Sequence, residues 1–352
     1  MKRKAQGFIL ALVLAVLVAL SLLVSAIAAW VSATMRQSID FSDMASEQIA
    51  HHDTLETLKY FMATRLIGIG GIYMGPYDPA IANSWRSTPA NDTRLLWRPD
   101  DLPLDNRPLL AFDKSVFRIQ DEAGLIKLKN LDTASFASLL QLMDVRGPQR
   151  DRLARQLVTT ILAPPDSLAG RSIAAAFRAG GVVAPSARYP LSPFEVLHQP
   201  GWEQLGPTQI ALWNDGVSPL ARGRLNLNSA PPWLLPVLPF MNASTAQTIV
   251  EQRASRPVAG PGGLDNAVLD PLHYQGVPGT SFRITFPAVS SRRALRYHLR
   301  MTPQAHRAQP WQLEMTYPVT PQTSHSSSAP PDPQIIDHPL FASPEESTAG
   351  RQ

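Results

Sequence analysis

The residues of this 352-residue chain that are best suited to chemistry are few and scattered. There is no cysteine, which excludes thiolate catalysis, disulfides and cysteine-ligated zinc. His51, His52 and Asp53 are adjacent, but neighbouring side chains on a helix point about 100° apart, so they indicate a solvated helix face rather than a metal site. The H-E-x-x-H and G-x-S-x-G arrangements of hydrolases are also missing from the sequence. The sequence therefore predicts a protein that is not an enzyme.

The element that must position everything else is an N-terminal segment suited to a membrane. Three basic residues at positions 2–4 precede Gly7, and residues 8–31 contain fifteen Leu, Ile, Val or Phe residues and no charge. As a helix this segment is about 36 Å long, enough to cross a hydrocarbon core of about 30 Å. Because the positive charges precede the span, the sequence predicts a cytoplasmic N-terminus and an extracytoplasmic remainder.

Two interpretations of this segment compete. A secretory signal peptide would be cleaved near Ala26-Ile27-Ala28 and would leave a secreted periplasmic binding protein. A retained helix is favoured because residues 8–67 contain neither Gly nor Pro, whereas a run of this length would hold roughly nine at the density of the whole chain. Residues 32–67 are predicted to continue the helix as an amphipathic segment, with apolar residues at helical spacing. These are Leu55, Leu58, Met62 and Leu66.

Strand-like segments lie on both sides of a long helical region. Residues 68–119 begin with Gly68-Ile69-Gly70-Gly71, which predicts the end of the long helix, and finish with short strands. Strands return over 281–317. The sequence therefore predicts an α+β fold, in which the long helix packs on a small antiparallel sheet and a helical domain, residues 120–280, is inserted between the strands.

Two further segments are notable for composition. Residues 318–352 are rich in Pro, Ser and acidic residues and are predicted to be disordered. Four arginines fall in the returning strands or just before them, and they are predicted to form a solvated face rather than a nucleic-acid or lipid patch. These are Arg292, Arg293, Arg296 and Arg300.

The predicted insertion contains two similar units. Each begins with Gly and a short alternating run, at 124–131 and 223–228, and passes through a Ser/Thr cap into an apolar helix. A second helix follows in each unit, over 150–162 and 244–253. The second unit resembles the opening of helix-hairpin-helix modules, many of which bind DNA. DNA binding is not predicted, because the hairpin position, 238–242, has no glycine that would let a phosphate approach the backbone.

The N-terminal pattern resembles that of type IV prepilins and pseudopilins. A basic leader, residues 1–7, ends in Gly7 and is followed by Phe8 and an apolar span. The resemblance implies that a prepilin peptidase cuts between Gly7 and Phe8 and methylates Phe8. Most members carry Glu at the fifth mature position, where it is thought to meet the N-terminus of the previous subunit; this chain has Leu12, which suggests a filament tip rather than a shaft. An ordinary membrane anchor with no assembly role is the alternative.

Two polar motifs about a hundred residues apart narrow the resemblance. The motif residues are Asp121, Glu122, Gly124, Asn226, Asn228 and Ser229. Their order and spacing resemble the general secretion pathway protein K family, the large minor pseudopilins of type II secretion systems. In that family, Asp-Glu-x-Gly and Asn-x-Asn-Thr/Ser-Ala stretches frame a helical domain inserted in a pilin-like sheet. This chain departs from the family pattern at Lys127 and Lys129.

This resemblance implies a non-enzymatic, single-pass protein of the bacterial inner membrane with a periplasmic C-terminal domain. It implies a tip complex with the I- and J-type minor pseudopilins, which starts pseudopilus assembly for the export of folded proteins across the outer membrane. The major pseudopilin and the prepilin peptidase are further implied partners. A minor pilin of a related type IV pilus system is the alternative.

Calcium is implied only by this resemblance, because members of the family bind it. Acidic residues near Asp265 and Asp270, and the pair Asn214-Asp215, are candidates. They lack the alternating oxygen ligands of a self-contained calcium loop, so the metal ligands stay unknown. No other cofactor is expected.

Overall fold

A single helix dominates the computed structural model of the chain. Helix α1, Gln6–Thr64, runs for 59 residues, and every side chain from Leu10 to Val31 is exposed. Its most apolar 18-residue stretch has a mean hydropathy of 3.0, so α1 is long and apolar enough to cross a membrane. The structure describes residues 6–75, 97–128, 133–162, 175, 192–199, 201–238, 240–264, 269–287, 294–302, 309–319 and 335–341.

The second half of α1 packs on a sheet. Leu55, Leu58 and Met62 are buried, as their helical spacing predicts, whereas Leu66 lies beyond the helix. His51 is half-buried with its ring 4.6 Å from that of Phe286, so the prediction of a fully solvated histidine face was wrong at this position. His52 and Asp53 are exposed, as expected.

The glycines after α1 form a hairpin rather than a helix stop. The helix ends at Thr64, and β1 (Ile67–Gly68) pairs with β2 (Gly71–Ile72). Gly71 has a φ of 132°, and a Cβ there would lie 2.0 Å from the carbonyl oxygen of Leu102. The glycine is therefore required by its backbone conformation and by the close approach of the next segment.

One antiparallel sheet of five strands forms the body of the protein. The strand order is β11-β10-β9-β4-β3, and the insertion leaves from β4 and returns to its neighbour β9. This is the predicted α+β arrangement. The strands are β3 (Asp105–Leu110), β4 (Val116–Asp121), β9 (Ser281–Phe286), β10 (Ala294–Met301) and β11 (Trp311–Val319).

Both faces of the sheet are covered at its centre, because side chains alternate along each strand. In β9, Phe282, Ile284 and Phe286 join the core beneath α1. Arg283 and Thr285 lie on the opposite face, against the insertion, and all six residues of β9 are buried. The sheet is thus sandwiched between the long helix and the inserted domain.

The insertion has its own core, built around Phe136, Trp202 and Trp213. Strands β5 and β6 pair in parallel, as do β7 and β8. Its helices and short strands are β5 (Ile126–Lys127), α2 (Thr133–Leu142), α3 (Gly147–Leu162), α4 (Pro193–Leu197), α5 (Pro207–Gly216), β6 (Val217–Ser218), β7 (Leu225–Asn226), α6 (Ala243–Ser255) and β8 (Tyr274–Gln275).

The two predicted units differ in their first helix. In the first unit α2 is a regular helix, but the second unit has only turns and a short 3-10 helix, Leu235–Val237, where an apolar helix was predicted. Pro232 and Pro236 explain the difference: Pro236 has no N–H to donate to the carbonyl of Pro232, and its ring would clash there in an α-helix.

The tail was predicted to be disordered from residue 318, and two parts of it are ordered. Strand β11 continues to Val319, and residues 335–341 lie against β3 with Phe341 buried in the sheet core. The rest of the predicted disordered segment lies outside the described residues.

Candidate functional site

The six motif residues meet where the insertion joins the sheet. Asp121, the last residue of β4, is fully buried, and its carboxylate accepts four hydrogen bonds. Oδ1 accepts from the backbone N–H groups of Ala123 and Gly279, at 3.0 and 3.1 Å. Oδ2 accepts from the amide of Asn226 at 2.8 Å and the hydroxyl of Ser229 at 2.9 Å. One carboxylate thus joins the entry, the middle and the exit of the inserted domain.

Ser229 does not act as a helix cap, contrary to the sequence prediction. Its hydroxyl donates to Asp121, and its carbonyl oxygen accepts from the side chain of Gln120 at 2.7 Å. Burial raises the pKa of Asp121, while the four donors lower it, and the pKa stays above its usual value.

Asn228 fixes two loops of the insertion through its side-chain amide. Nδ2 donates to the carbonyl oxygens of Val258 and Gly276, at 2.9 and 2.7 Å, and Oδ1 accepts from the N–H of Val258 at 2.7 Å. Its own N–H donates to Oδ1 of Asn226. The two asparagines of the Asn-x-Asn motif therefore have different contacts. Asn226 bonds to Asp121 at the end of β4, and Asn228 bonds to the loops after α6 and β8.

Gly124 allows the two motifs to touch. A Cβ at this position would lie 2.5 Å from both the carbonyl carbon and the hydroxyl oxygen of Ser229. Nearby, Lys127 of β5 is nearly buried, and burial lowers its pKa to about 8. Lys129, the other departure from the family pattern, lies outside the described residues.

Glu122 continues the junction on the sheet side. It is fully buried, contacts the hydroxyl of Ser218, and lies 2.6 Å from Nδ1 of His298. The other ring nitrogen of His298 lies 2.9 Å from the hydroxyl of Tyr317. Burial alone would raise the pKa of Glu122, but the electrostatic effect of His298 and hydrogen bonds from His298 and Ser218 hold it below its usual value.

Two arginines of the sheet hold the carboxyl end of α5. Arg283 donates to the carbonyl oxygens of Asn214 and Asp215, at 2.9 and 2.7 Å, and Arg296 donates to that of Asn214 at 3.0 Å. Arg296 also pairs with the carboxylate of Asp215 at 2.6 Å. Cations at a helix C-terminus neutralise its partial negative charge, so the arginines attach the insertion to the sheet electrostatically.

This arrangement corrects the prediction that the arginines form a solvated face. Arg296 is 4% exposed, because the insertion covers the face of the sheet that it occupies. Burial lowers its pKa, but Asp215 and Tyr317 together more than compensate and leave the pKa raised. Burial and the neighbouring Arg296 lower the pKa of Arg283 to about 10. Arg292 and Arg293 lie outside the described residues.

Two of the calcium candidates, Asp215 and Asp270, are engaged in other contacts. The Asp215 carboxylate pairs with Arg296, and Asp270 pairs with His273 at 2.7 Å. Asp265 lies outside the described residues. Within the part of the chain that the structure describes, no group of three or more His, Asp and Glu side chains converges as metal ligands would.

The predicted processing residues lie at the start of α1. Gly7 and Phe8 are in its first turn, and Leu12 is on the exposed apolar surface that follows. They are far along the chain from the motif junction and form a separate candidate site.

Sequence reasoning missed three residues of the junction: Arg283, Arg296 and His298. A signal for them was present, because in β9 and β10 these basic residues alternate with apolar ones such as Ile284 and Leu299. The alternation identified the strands, but it does not say what covers the basic face.

Neither a protein-family model nor a curated protein matches the chain. A structural neighbour is a chain of the crystal structure of the GspK-GspI-GspJ complex from the type 2 secretion system of enterotoxigenic Escherichia coli. The two chains share 15% identity with a TM-score of 0.42, over 81% of this chain and 98% of that chain.

Proposed function

We propose that the chain is a minor pseudopilin of a type II secretion system, anchored in the inner membrane with its C-terminal domain in the periplasm. The observation that carries the proposal is α1, one helix of 59 residues whose first half is apolar and exposed and whose second half packs on an antiparallel sheet. The first half of such a helix can span the bilayer, and the soluble domain stays packed on the second half.

Leu12 and the insertion support a position at the tip. At the fifth mature position, a carboxylate would need a partner in the bilayer, whereas Leu12 needs none. The insertion covers one face of the sheet and adds bulk that would obstruct a further subunit stacked above it. The proposed role is to start pseudopilus assembly, with the I- and J-type minor pseudopilins below it, for export of folded proteins.

The soluble half of α1 offers a surface for those partners. Met35, Ile39, Ile49 and Tyr60 are each about 60% exposed and lie within an arc of about 80° at 3.6 residues per turn. This arc lies about 100° to 180° around the helix from Leu58, which faces the sheet. An exposed apolar stripe that continues a membrane helix fits a neighbouring helix of the same kind.

The proposed role is not enzymatic. Glu122, His298 and Tyr317 form a hydrogen-bonded line that resembles a catalytic relay, but Glu122 and His298 are at most 1% exposed. Burial raises the pKa of Tyr317, which makes its hydroxyl a poor nucleophile. The line is enclosed between sheet and insertion, which favours a structural role.

Mass spectrometry of the mature N-terminus tests the proposal. A filament subunit should begin at N-methylated Phe8. The control variant Gly7→Leu should instead retain residues 1–7 at its N-terminus. A polypeptide that begins near Ala29 would instead be a secreted protein, and one that begins at the unprocessed leader would be an ordinary anchor. Either of these two results contradicts the proposal.

Co-purification of the full chain with I- and J-type pseudopilins tests the partner surface. Ile49→Lys places a charge in the exposed stripe and should abolish capture. His52→Lys places the same charge on an exposed position of α1 outside the stripe and should retain capture. Equal capture by both variants would exclude the stripe as the contact.

A further inference from the structure

The C-terminal segment 335–341, here called the strap, is bonded to the edge of the sheet. The N–H of Ile336 donates to the carbonyl oxygen of Pro108 at 3.2 Å, and the N–H of Leu110 donates to the carbonyl oxygen of Ile336 at 2.9 Å. Because β3 is an edge strand, these are groups with which an added strand would otherwise pair. The strap therefore caps the β3 edge.

Phe341 anchors the end of the strap in the sheet core. Its ring packs edge-to-face on Phe112 and Phe117, with centroids 5.2 and 5.1 Å away, and it is 6% exposed. The strap thus combines two backbone hydrogen bonds with one large apolar anchor.

His338 lies between these contacts, 5% exposed, with both ring nitrogens used by backbone groups. Nε2 is 3.1 Å from the carbonyl oxygen of Asp100, which can only accept, so Nε2 carries a proton. Nδ1 accepts from the N–H of Leu340 at 3.2 Å, so Nδ1 carries none. The docked strap therefore requires a neutral imidazole in a single tautomer.

Protonation would break this arrangement. A proton on Nδ1 would face the N–H of Leu340 and remove its acceptor, and a positive charge would be enclosed where little water reaches it. Both effects oppose the docked position of the strap and are relieved when the strap leaves the sheet.

The charged groups around His338 act in the opposite direction but are weaker. The carboxylates of Asp100 and Asp337 favour the imidazolium, and that of Asp100 is shared with Arg98 at 2.9 Å. On the elements packed against the strap, Arg107 of β3 pairs with Asp105, and Asp113 beside Phe112 is exposed. Burial outweighs both the hydrogen bond to the carbonyl oxygen of Asp100 and the two carboxylates, and it leaves the pKa of His338 below its ordinary value of 6.5.

We propose that the strap is an acid-released cap: protonation of His338 frees residues 335–341 and leaves the β3 edge unpaired. Release restores the ordinary pKa of the imidazole. Docking is therefore at full strength above pH 6.5, and each further unit of acidification lowers the ratio of docked to free strap by up to about tenfold until the docked pKa is reached.

Hydrogen exchange of the full chain in detergent tests the proposal. Protection is compared at about pH 7.5 and about pH 5, after correction for the intrinsic effect of pH on exchange. Peptides that contain Leu110 and Leu340 should lose protection at the lower pH, by up to about tenfold for each pH unit below 6.5. The peptide of β9, residues 281–286, should keep its protection, which shows that the sheet itself stays folded.

Two variants identify the titrating group. His338→Gln retains one donor and one acceptor but takes up no proton, so its strap should stay protected at both pH values. His273→Gln removes an exposed histidine paired with Asp270 and should leave the acid response intact. An unchanged wild-type strap between the two pH values, or an acid response that persists in His338→Gln, overturns the proposal.

A second measurement covers the case in which the His338→Gln strap fails to dock at all. The His338 ring is titrated by NMR in the wild type and in Phe341→Ala, whose strap has lost its anchor. The apparent pKa should be lower in the wild type, since only there is docking coupled to the proton. Equal values in the two proteins overturn the proposal.

Discussion

The side-chain amide of Asn226 donates to Oδ2 of Asp121 over 2.8 Å, and the two residues are 105 positions apart. Asp121 ends a strand of the main sheet, and Asn226 ends a short strand inside the insertion. The same carboxylate binds the N–H of Gly279, two residues before the chain re-enters the sheet. One buried acidic side chain therefore links the end of β4, the inserted domain and the return of the chain to the sheet.

Asp121→Asn should destabilise the protein by about 3 kcal/mol, because its NH2 group would face donors and leave buried hydrogen-bonding groups unsatisfied. Thermal unfolding followed by fluorescence of the buried Trp202 and Trp213 measures the loss. Asp53→Asn, at an exposed position of α1, is the control and should change stability by less than about 0.5 kcal/mol. Equal stability of the two variants would show that the cluster is not required.

Gly124→Ala should cost about 3 kcal/mol or prevent folding, because the new methyl group would overlap the backbone of Ser229. Gly260→Ala is the matched control: nothing lies within 4 Å of the place that a Cβ would occupy at this residue, and its φ is not positive. Chemical denaturation of both variants measures the difference. A Gly124→Ala protein as stable as Gly260→Ala would contradict the close approach of the two motifs.

Glu122→Gln should lower stability at neutral pH by about 3 kcal/mol, since it removes one partner of a buried pair. The charged carboxylate has a folded-state pKa below the usual 4.5, so its stabilising effect is present above that pH and is lost as the pH falls through the folded pKa. The gap in melting temperature between wild type and variant should therefore narrow below pH 4.5.

The control for this pH dependence is Glu56→Gln, which removes an exposed carboxylate paired with Lys59. Its melting temperature should follow that of the wild type throughout the titration. A gap for Glu122→Gln that stays constant into strong acid would show that the carboxylate is not charged in the folded protein.

Leu12→Glu should disturb initiation only mildly, because a tip subunit has no predecessor whose N-terminus the new carboxylate must meet. Removal of the insertion, by contrast, should abolish function at the tip. Secretion of a folded substrate by cells that carry each variant measures both effects. Normal secretion without the insertion would show that its proposed role is wrong.

Much of the architecture could be predicted because it depends on local patterns. The absence of Gly and Pro over residues 8–67 predicted the long helix, and the alternation of Phe282, Ile284 and Phe286 predicted a strand. Both signals come from side chains that a nearby element must bury. The residues Asp121 and Asn226 were identified by resemblance, but their contact depends on the folded insertion.

The remaining features depend on distant parts of the chain. From its local sequence Arg296 is predicted to be a surface residue. It is buried because the carboxyl end of α5 packs over it in the folded protein. The second predicted unit has no regular first helix, because Pro236 disfavours one. The apolar spacing of this segment predicted a helix without taking the proline into account. Phe341 lies in a tail whose polar composition predicted disorder. Its ring is nevertheless buried and anchors a short segment to the sheet.

Strands β4 and β9 are hydrogen-bonded neighbours near the middle of the sheet, so the insertion is attached to the sheet through two adjacent strands. A push or pull on the inserted domain enters along the axes of both strands, at right angles to the hydrogen bonds between strands. Such a load shears many bonds at once instead of unzipping them singly. A load on the domain is therefore shared among the hydrogen bonds of both strands.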